Sequence, residues 1–142
     1  MTLPRGLLSD LKRDEGWRPF AYKDSLGYWT IGYGFLVDQK RDEGLPLEIG
    51  EIWLSKAAED RWNDFTARVP WILNKPEDVQ RALANMVYQL GVSGVLGFPL
   101  MLQALEKDDR ETAAINAAYS KWAMQTPERA GRICDLIRGY KE

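Results

Sequence analysis

The run Glu15-Gly16-Trp17-Arg18-Pro19-Phe20-Ala21-Tyr22-Lys23-Asp24-Ser25-Leu26-Gly27-Tyr28-Trp29-Thr30-Ile31-Gly32-Tyr33-Gly34 is where the chain changes texture. Upstream of it, Leu3, Leu7, Leu8 and Leu11 recur at helical spacing and Gly16 supplies a stop, so the pattern predicts a helix from about Leu3 to Glu15. From Trp17 to Val37, aromatic and β-branched residues are punctuated by glycine. Asp24-Ser25-Leu26-Gly27 then reads as a turn between Ala21-Tyr22-Lys23 and Tyr28-Trp29-Thr30-Ile31. This is a hairpin or small meander, too small to stand alone without helices behind it.

Downstream the chain is helical throughout. After the polar residues 38–44, a pattern through Ile49, Ile52, Trp53 and Ala57 runs to about Val69, where Pro70 stops it. Pro76 opens a helix whose Val79, Leu83, Met86, Val87 and Leu90 form a core stripe ending at Gly91. Shorter helices follow at Ser93 to Phe98, Pro99 to Glu106 and Arg110 to Ala123. Thr126-Pro127 starts the last helix with an N-cap and a proline at the first helical position, and Gly139 ends it. The fold class is therefore α+β. We read one domain of two lobes, a small β-containing lobe at 13–52 and a helical lobe at 53–142 plus 1–12, with the long helix as spine and a cleft where the lobes meet. Trp53, Trp62 and Trp122, on helices with apolar neighbours, read as core.

Composition narrows the chemistry. With 142 residues, 45% hydrophobic and 28% charged, the chain suits a soluble globular domain and is too apolar for disorder. Histidine is absent, which excludes Ser-His-Asp and Cys-His nucleophile pairs and imidazole zinc sites; no metal or cofactor is expected. The single cysteine, Cys134, excludes an intrachain disulfide, fits a reducing compartment and reads as a small buried apolar residue. Against 21 Asp and Glu stand 19 Lys and Arg, a net charge of −2, so no basic field favours nucleic acid as a partner. No apolar run is long enough for a signal peptide or a membrane span, so neither an export address nor stable membrane association is expected.

Acid–base chemistry must then come from other side chains, and two carboxylates plus a hydroxyl stand at the border of the small lobe: Glu15 at a helix end, Asp24 in the turn, Thr30 in the next strand. Such a set suits glycosidic-bond hydrolysis, which needs a protonated acid on the leaving oxygen and, for inversion, a second carboxylate with a positioned water. Glu15 is the better acid, because a helix C-terminus disfavours a carboxylate by about 0.3–1 kcal/mol. That is too little alone, and desolvation must supply the rest. Taken singly, each residue also has an ordinary reading: a solvated last-turn Glu, an Asp that bonds the backbone of its own turn, a Thr favoured in strands.

The whole run closely resembles the active-site signature of the T-even-type phage lysozymes, the muramidases of glycoside hydrolase family twenty-four: Glu, eight residues, Asp, five residues, Thr, then Ile-Gly-x-Gly. Asn85-Met86-Val87-Tyr88-Gln89-Leu90-Gly91, Gly94-Val95-Leu96-Gly97-Phe98 and Trp122-Ala123-Met124-Gln125-Thr126-Pro127-Glu128-Arg129-Ala130 resemble the same family's large-lobe motifs, in the right order. The resemblance implies a lysozyme-like fold with its active site in the cleft. It implies a monomeric enzyme that cuts the β-1,4 bond between N-acetylmuramic acid and N-acetylglucosamine in peptidoglycan, with inversion. Carried over, Glu15 is the general acid, Asp24 acts on the attacking water and Thr30 helps hold it; Arg129 matches the arginine that reaches from the large lobe toward the acid. Tyr88, Asn116 and Gln125, with Gly34 and Leu36 of the small lobe, are the substrate-binding candidates, and Trp29 is a further possible sugar contact.

The sequence departs from the pattern in three places. Phe35 stands where close relatives have histidine, the segment between Val37 and Leu47 is shorter, and the chain is slightly acidic where familiar members are basic. The expected biology is an endolysin made in the host cytoplasm and acting on the wall after release to the periplasm through a separate holin-type pore. The alternatives are a relative acting on chitin, and a noncatalytic peptidoglycan-binding or virion structural domain with the same fold.

Overall fold

Gly6 decides where the first helix begins. It sits in the left-handed region at φ 84°, so the chain turns there and α1 runs Leu7–Glu15 rather than from Leu3. Gly16, at φ 70°, ends it, its N–H donating to the Lys12 carbonyl at 3.0 Å. A computed structural model describes residues 3–37 and 45–140 of the chain. The short link through Gly16 and Trp17 leads directly into β1 (Arg18–Lys23), followed by β2 (Trp29–Gly32) and β3 (Phe35–Leu36). Among the described residues these make one antiparallel sheet in the order β1-β2-β3, the small meander that the glycine-punctuated run implies. Tyr22 pairs with Thr30, Lys23 with Trp29 and Thr30 with Leu36; the β1–β2 register is irregular between Arg18 and Tyr22.

The helices that follow are α2 (Leu47–Arg68), a 3-10 turn at Pro70–Asn74, α3 (Glu77–Leu96), α4 (Pro99–Glu106), α5 (Arg110–Ala118), α6 (Lys121–Gln125) and α7 (Pro127–Arg138). The whole is an α+β arrangement, the class expected from the sequence. The polar residues 38–44 lie outside the described residues. The chain divides into two compact units, Met1–Ile52 and Trp53–Glu142, with the boundary inside α2. Residues 1–12, read from the sequence as part of the helical lobe, group with the first unit, because α1 is tied to the sheet through a two-residue link.

Nearly all the hydrophobic core belongs to the second unit. Phe65, Ile72, Leu83, Met86, Met101, Leu105, Ile133 and Ile137 are fully buried there. Each such side chain contributes about 1.5–3 kcal/mol by leaving water. In the first unit the buried described residues are Thr30 and Gly32. Trp122 is core as expected, at 5% exposure, and Trp62 stacks on Phe65 at 5.7 Å between ring centres. Trp53 is not core. It is 56% exposed, because it sits at the unit boundary and the buried part of α2 is Phe65, three turns on.

Three local details refine the helical lobe. α3 is broken at Gly91 (φ 75°, ψ 170°), the position where the sequence placed a stop. The stretch from Arg110 to Ala123, read as one helix, is two: Ser120 accepts the Ala123 N–H at 3.1 Å and donates to the Ala117 carbonyl at 2.7 Å, which starts a new helix. Thr126 precedes α7 without capping it through its side chain. Its hydroxyl donates backward to the Trp122 carbonyl at 3.0 Å, and Pro127 sets the first turn instead.

Arg110 anchors the end of α7. Its Nε donates to the Ile137 carbonyl (2.7 Å), and one Nη donates to the Leu136 carbonyl (3.0 Å) and to Asp78 Oδ2 (2.7 Å). A guanidinium there satisfies carbonyls that the helix leaves open and complements its negative end. Gly139, left-handed at φ 86°, is needed for the same reason: a Cβ would lie 2.9 Å from the Arg110 guanidinium. Asp109 caps α5 by accepting the Thr112 N–H at 3.1 Å, and its carboxyl is held below its ordinary value by the Thr112 side chain first and by that N–H second. Cys134 is buried, and burial pushes its thiol up, as an inert structural cysteine requires.

Candidate active site

The local geometry of the first unit explains why its sequence is so rich in glycine. Gly34 occupies a left-handed position at φ 77° in the β2–β3 turn, and the Glu15 carboxylate lies against it; a Cβ on Gly34 would stand 2.7 Å from Oε2. Glu15 is the last residue of α1 and is solvent-exposed, so α1 delivers it to the sheet without burying it. A side chain at Gly34 is excluded twice, by backbone conformation and by the acid itself. Gly34→Ala is therefore expected to cost about 1–2 kcal/mol in strain and to lower activity by more than about tenfold through displacement of the carboxylate. Gly6→Ala is the control: it carries the same left-handed strain with nothing within 4 Å of the added carbon, so thermal melting should shift while activity holds.

Asp24 anchors its own turn. Oδ1 accepts the Leu26 and Tyr28 N–H groups, both at 2.9 Å, which is the ordinary turn-anchoring behaviour of aspartate. The backbone closes the same turn, with the Asp24 N–H donating to the Tyr28 carbonyl (2.8 Å) and the Gly27 N–H to the Asp24 carbonyl (2.9 Å). Among the described residues no hydrogen bond reaches Oδ2. Thr30 is 3% exposed, and its hydroxyl donates to the Tyr28 carbonyl at 3.1 Å. The Tyr28 peptide groups thus tie Asp24 and Thr30 into one rigid assembly. Leu36 pairs with Thr30 through β3, and its side chain lies outside the described residues. Trp29 is half-exposed on β2, with Lys23 Nζ 5.4 Å from its ring.

In the second unit the candidates fall into separate places. Asn116 and Gln125 line one cavity of about 530 Å³ together with Phe98, Trp122, Tyr119 and Lys121. Phe98 and Trp122 meet edge to face at 6.0 Å, and the Trp122 indole N–H is held by Gln89 Oε1 at 2.9 Å. An aromatic floor with amides at its edge suits a sugar ring and its N-acetyl group. Asn116 donates to the Thr112 carbonyl at 2.9 Å, which fixes its rotamer and leaves its oxygen as acceptor. Tyr88 and Arg129 are not in that lining. Tyr88 lies under the Arg61 guanidinium, and Arg129 grips Asn85, donating to Oδ1 at 2.9 and 2.7 Å. Sequence reasoning passed over Arg61, Gln89, Tyr119 and Lys121. Gln89 stands inside a quoted motif, whereas nothing in helical periodicity singles out the other three.

The Phage lysozyme family model matches residues 12–137, a span that includes every candidate above. The chain belongs to the phage lysozyme family. It is 32% identical to a probable T4-type lysozyme 2 of Dictyostelium discoideum, covering 89% of this chain and 90% of that one. It is 33% identical to the pre-baseplate central spike protein Gp5 of Enterobacteria phage T4, covering 89% of this chain but 26% of the spike protein. A third relative, the peptidoglycan hydrolase gp36 of Pseudomonas phage phiKMV, is 30% identical over 85% of this chain and 14% of its own length. In this phage lysozyme the described hydrophobic core lies in the second unit, whereas the candidate carboxylates stand in the first, whose buried described residues are Thr30 and Gly32.

Proposed function

We propose that this phage lysozyme hydrolyses the β-1,4 bond between N-acetylmuramic acid and N-acetylglucosamine in bacterial peptidoglycan, with inversion at the anomeric carbon. The observation that carries the reading is the division of labour in the first unit. One carboxylate, Glu15, lies against Gly34, and a second, Asp24, is locked into its turn through Oδ1, with the Tyr28 backbone linking it to Thr30. Glu15 protonates the leaving oxygen; Asp24 orients and deprotonates water, with Thr30 on the same rigid turn helping to hold it. Because Glu15 is exposed, the bound polymer supplies the exclusion of water that the acid step needs. Asn116 and Gln125 serve as sugar contacts in the cavity they share. Lysis of the host, with release from the cytoplasm to the periplasm through a separate pore, completes this reading.

The test is product analysis on purified peptidoglycan and, in parallel, on chitin. New reducing ends at muramic acid and an α-configured first product are expected. A β-configured first product overturns the role of Asp24, and equal cleavage of chitin overturns the substrate. A second reading, a virion component acting at entry, is favoured by the likeness to the spike protein. Wall binding with no reducing ends released would favour its noncatalytic form.

A further inference from the structure

Tyr88 does not present a bare ring to a ligand. The Arg61 guanidinium, from the second half of α2, stands 4.5 Å from its ring centre, and Tyr88 is 37% exposed. Arg61 is itself exposed and makes no ion pair among the described residues; the neighbouring Asp60 is taken by Lys56 at 2.7 Å. A guanidinium stacked on an aromatic engages it through its flat face and keeps its in-plane N–H donors for an acceptor, and the two-pronged acceptor that fits them best is a carboxylate. The ring in turn holds a long, flexible side chain in one place, which lowers the entropy lost when a ligand arrives.

We propose that Arg61 is a specificity-determining residue: held on the Tyr88 ring, it receives a carboxylate of the peptide side chains of peptidoglycan, so that acidic wall polymer is preferred over uncharged glycan. This rests on the wall-hydrolase reading and extends it to a residue outside the carboxylate pair. It also gives a chain with a net charge of −2 a local means of engaging an anionic substrate.

The experiment compares kcat and KM on three substrates: intact walls, walls whose carboxyl groups have been converted to amides, and walls stripped of peptide by an amidase, which keep only the lactyl carboxylate. For the unmodified protein, amidation should raise KM about two- to fivefold, the scale of an exposed ion pair, with kcat unchanged. Arg61→Met should show that raised KM already on intact walls and no further rise on amidated ones, and Arg61→Lys should recover part of the difference. Arg132→Met removes the same charge from an exposed position on α7 and should keep the unmodified ratio. Stripped walls should behave like amidated ones. If they behave like intact walls, the lactyl group is the ligand and the peptide assignment falls. If Arg61→Met keeps the unmodified ratio of KM values, or Arg132→Met loses it, the proposal falls. Should no protein hydrolyse any wall, the same comparisons read by co-sedimentation decide Arg61 alone, and the lost activity counts against the hydrolase reading.

Discussion

Glu15→Gln is expected to leave a folded protein with about 10²- to 10⁴-fold less activity, the contribution of a general acid in a bond-breaking step. The substitution keeps shape and volume and removes the transferable proton. Glu15 is exposed at the last position of α1, so nothing in the core depends on its charge. Removing a negative charge from a helix C-terminus is neutral or slightly stabilising, by about 0.3–1 kcal/mol at most. The two readouts therefore separate: reducing-end release from peptidoglycan should collapse while the thermal transition stays put or rises. Clearing of permeabilised Gram-negative cells by Glu15→Gln at the unmodified rate would remove Glu15 from the chemistry.

Asp24→Asn should also cost about 10²-fold or more in activity, for a different reason, with a stability loss of about 1 kcal/mol. An asparagine can turn its oxygen toward the Leu26 and Tyr28 N–H groups, so the turn survives with neutral hydrogen bonds in place of charge-assisted ones. Its other terminus then becomes an NH₂ group, a donor where the reaction needs an acceptor for a water proton. Asp24→Ala loses the turn as well and should be the less stable of the two. If Asp24→Asn retains activity while Asp24→Ala merely melts earlier, the residue is a turn anchor only, and the water must be activated elsewhere.

The outcome at Asp24 illustrates what spacing along a chain conveys. Asp24-Ser25-Leu26-Gly27 marks a turn on composition alone, and a turn aspartate bonds its own backbone; both hold. That only one oxygen does so among the described residues, and that the Tyr28 backbone also receives the Thr30 hydroxyl, is a matter of three-dimensional detail. Gly34 is similar. The pattern Ile31-Gly32-Tyr33-Gly34 announces a glycine whose conformation matters, while the presence of the Glu15 carboxylate against it depends on where the end of α1 lies in space. The errors have equally local causes. Leu3 shares the helical spacing of Leu7 and Leu11, but Gly6 adopts a left-handed conformation that periodicity does not register. The helix from Arg110 to Ala123 is apolar enough to look continuous, and one serine hydroxyl suffices to restart it.

Sequence by itself determined the α+β class, the meander between two helical patterns and the helix boundaries at Gly16, Pro70, Pro127 and Gly139, and it named Glu15 and Asp24 as the candidate carboxylates. These follow from short-range rules: backbone preferences, hydrophobic period and residue chemistry act within a few positions of one another. Tertiary structure alone decided that Trp53 is exposed while Trp122 is buried, that Arg61 covers Tyr88 and that Asn116 and Gln125 share a cavity lined by Phe98 and Trp122. Each of those depends on which faces of distant segments meet, and contacts across long stretches of chain are set by packing of the whole core.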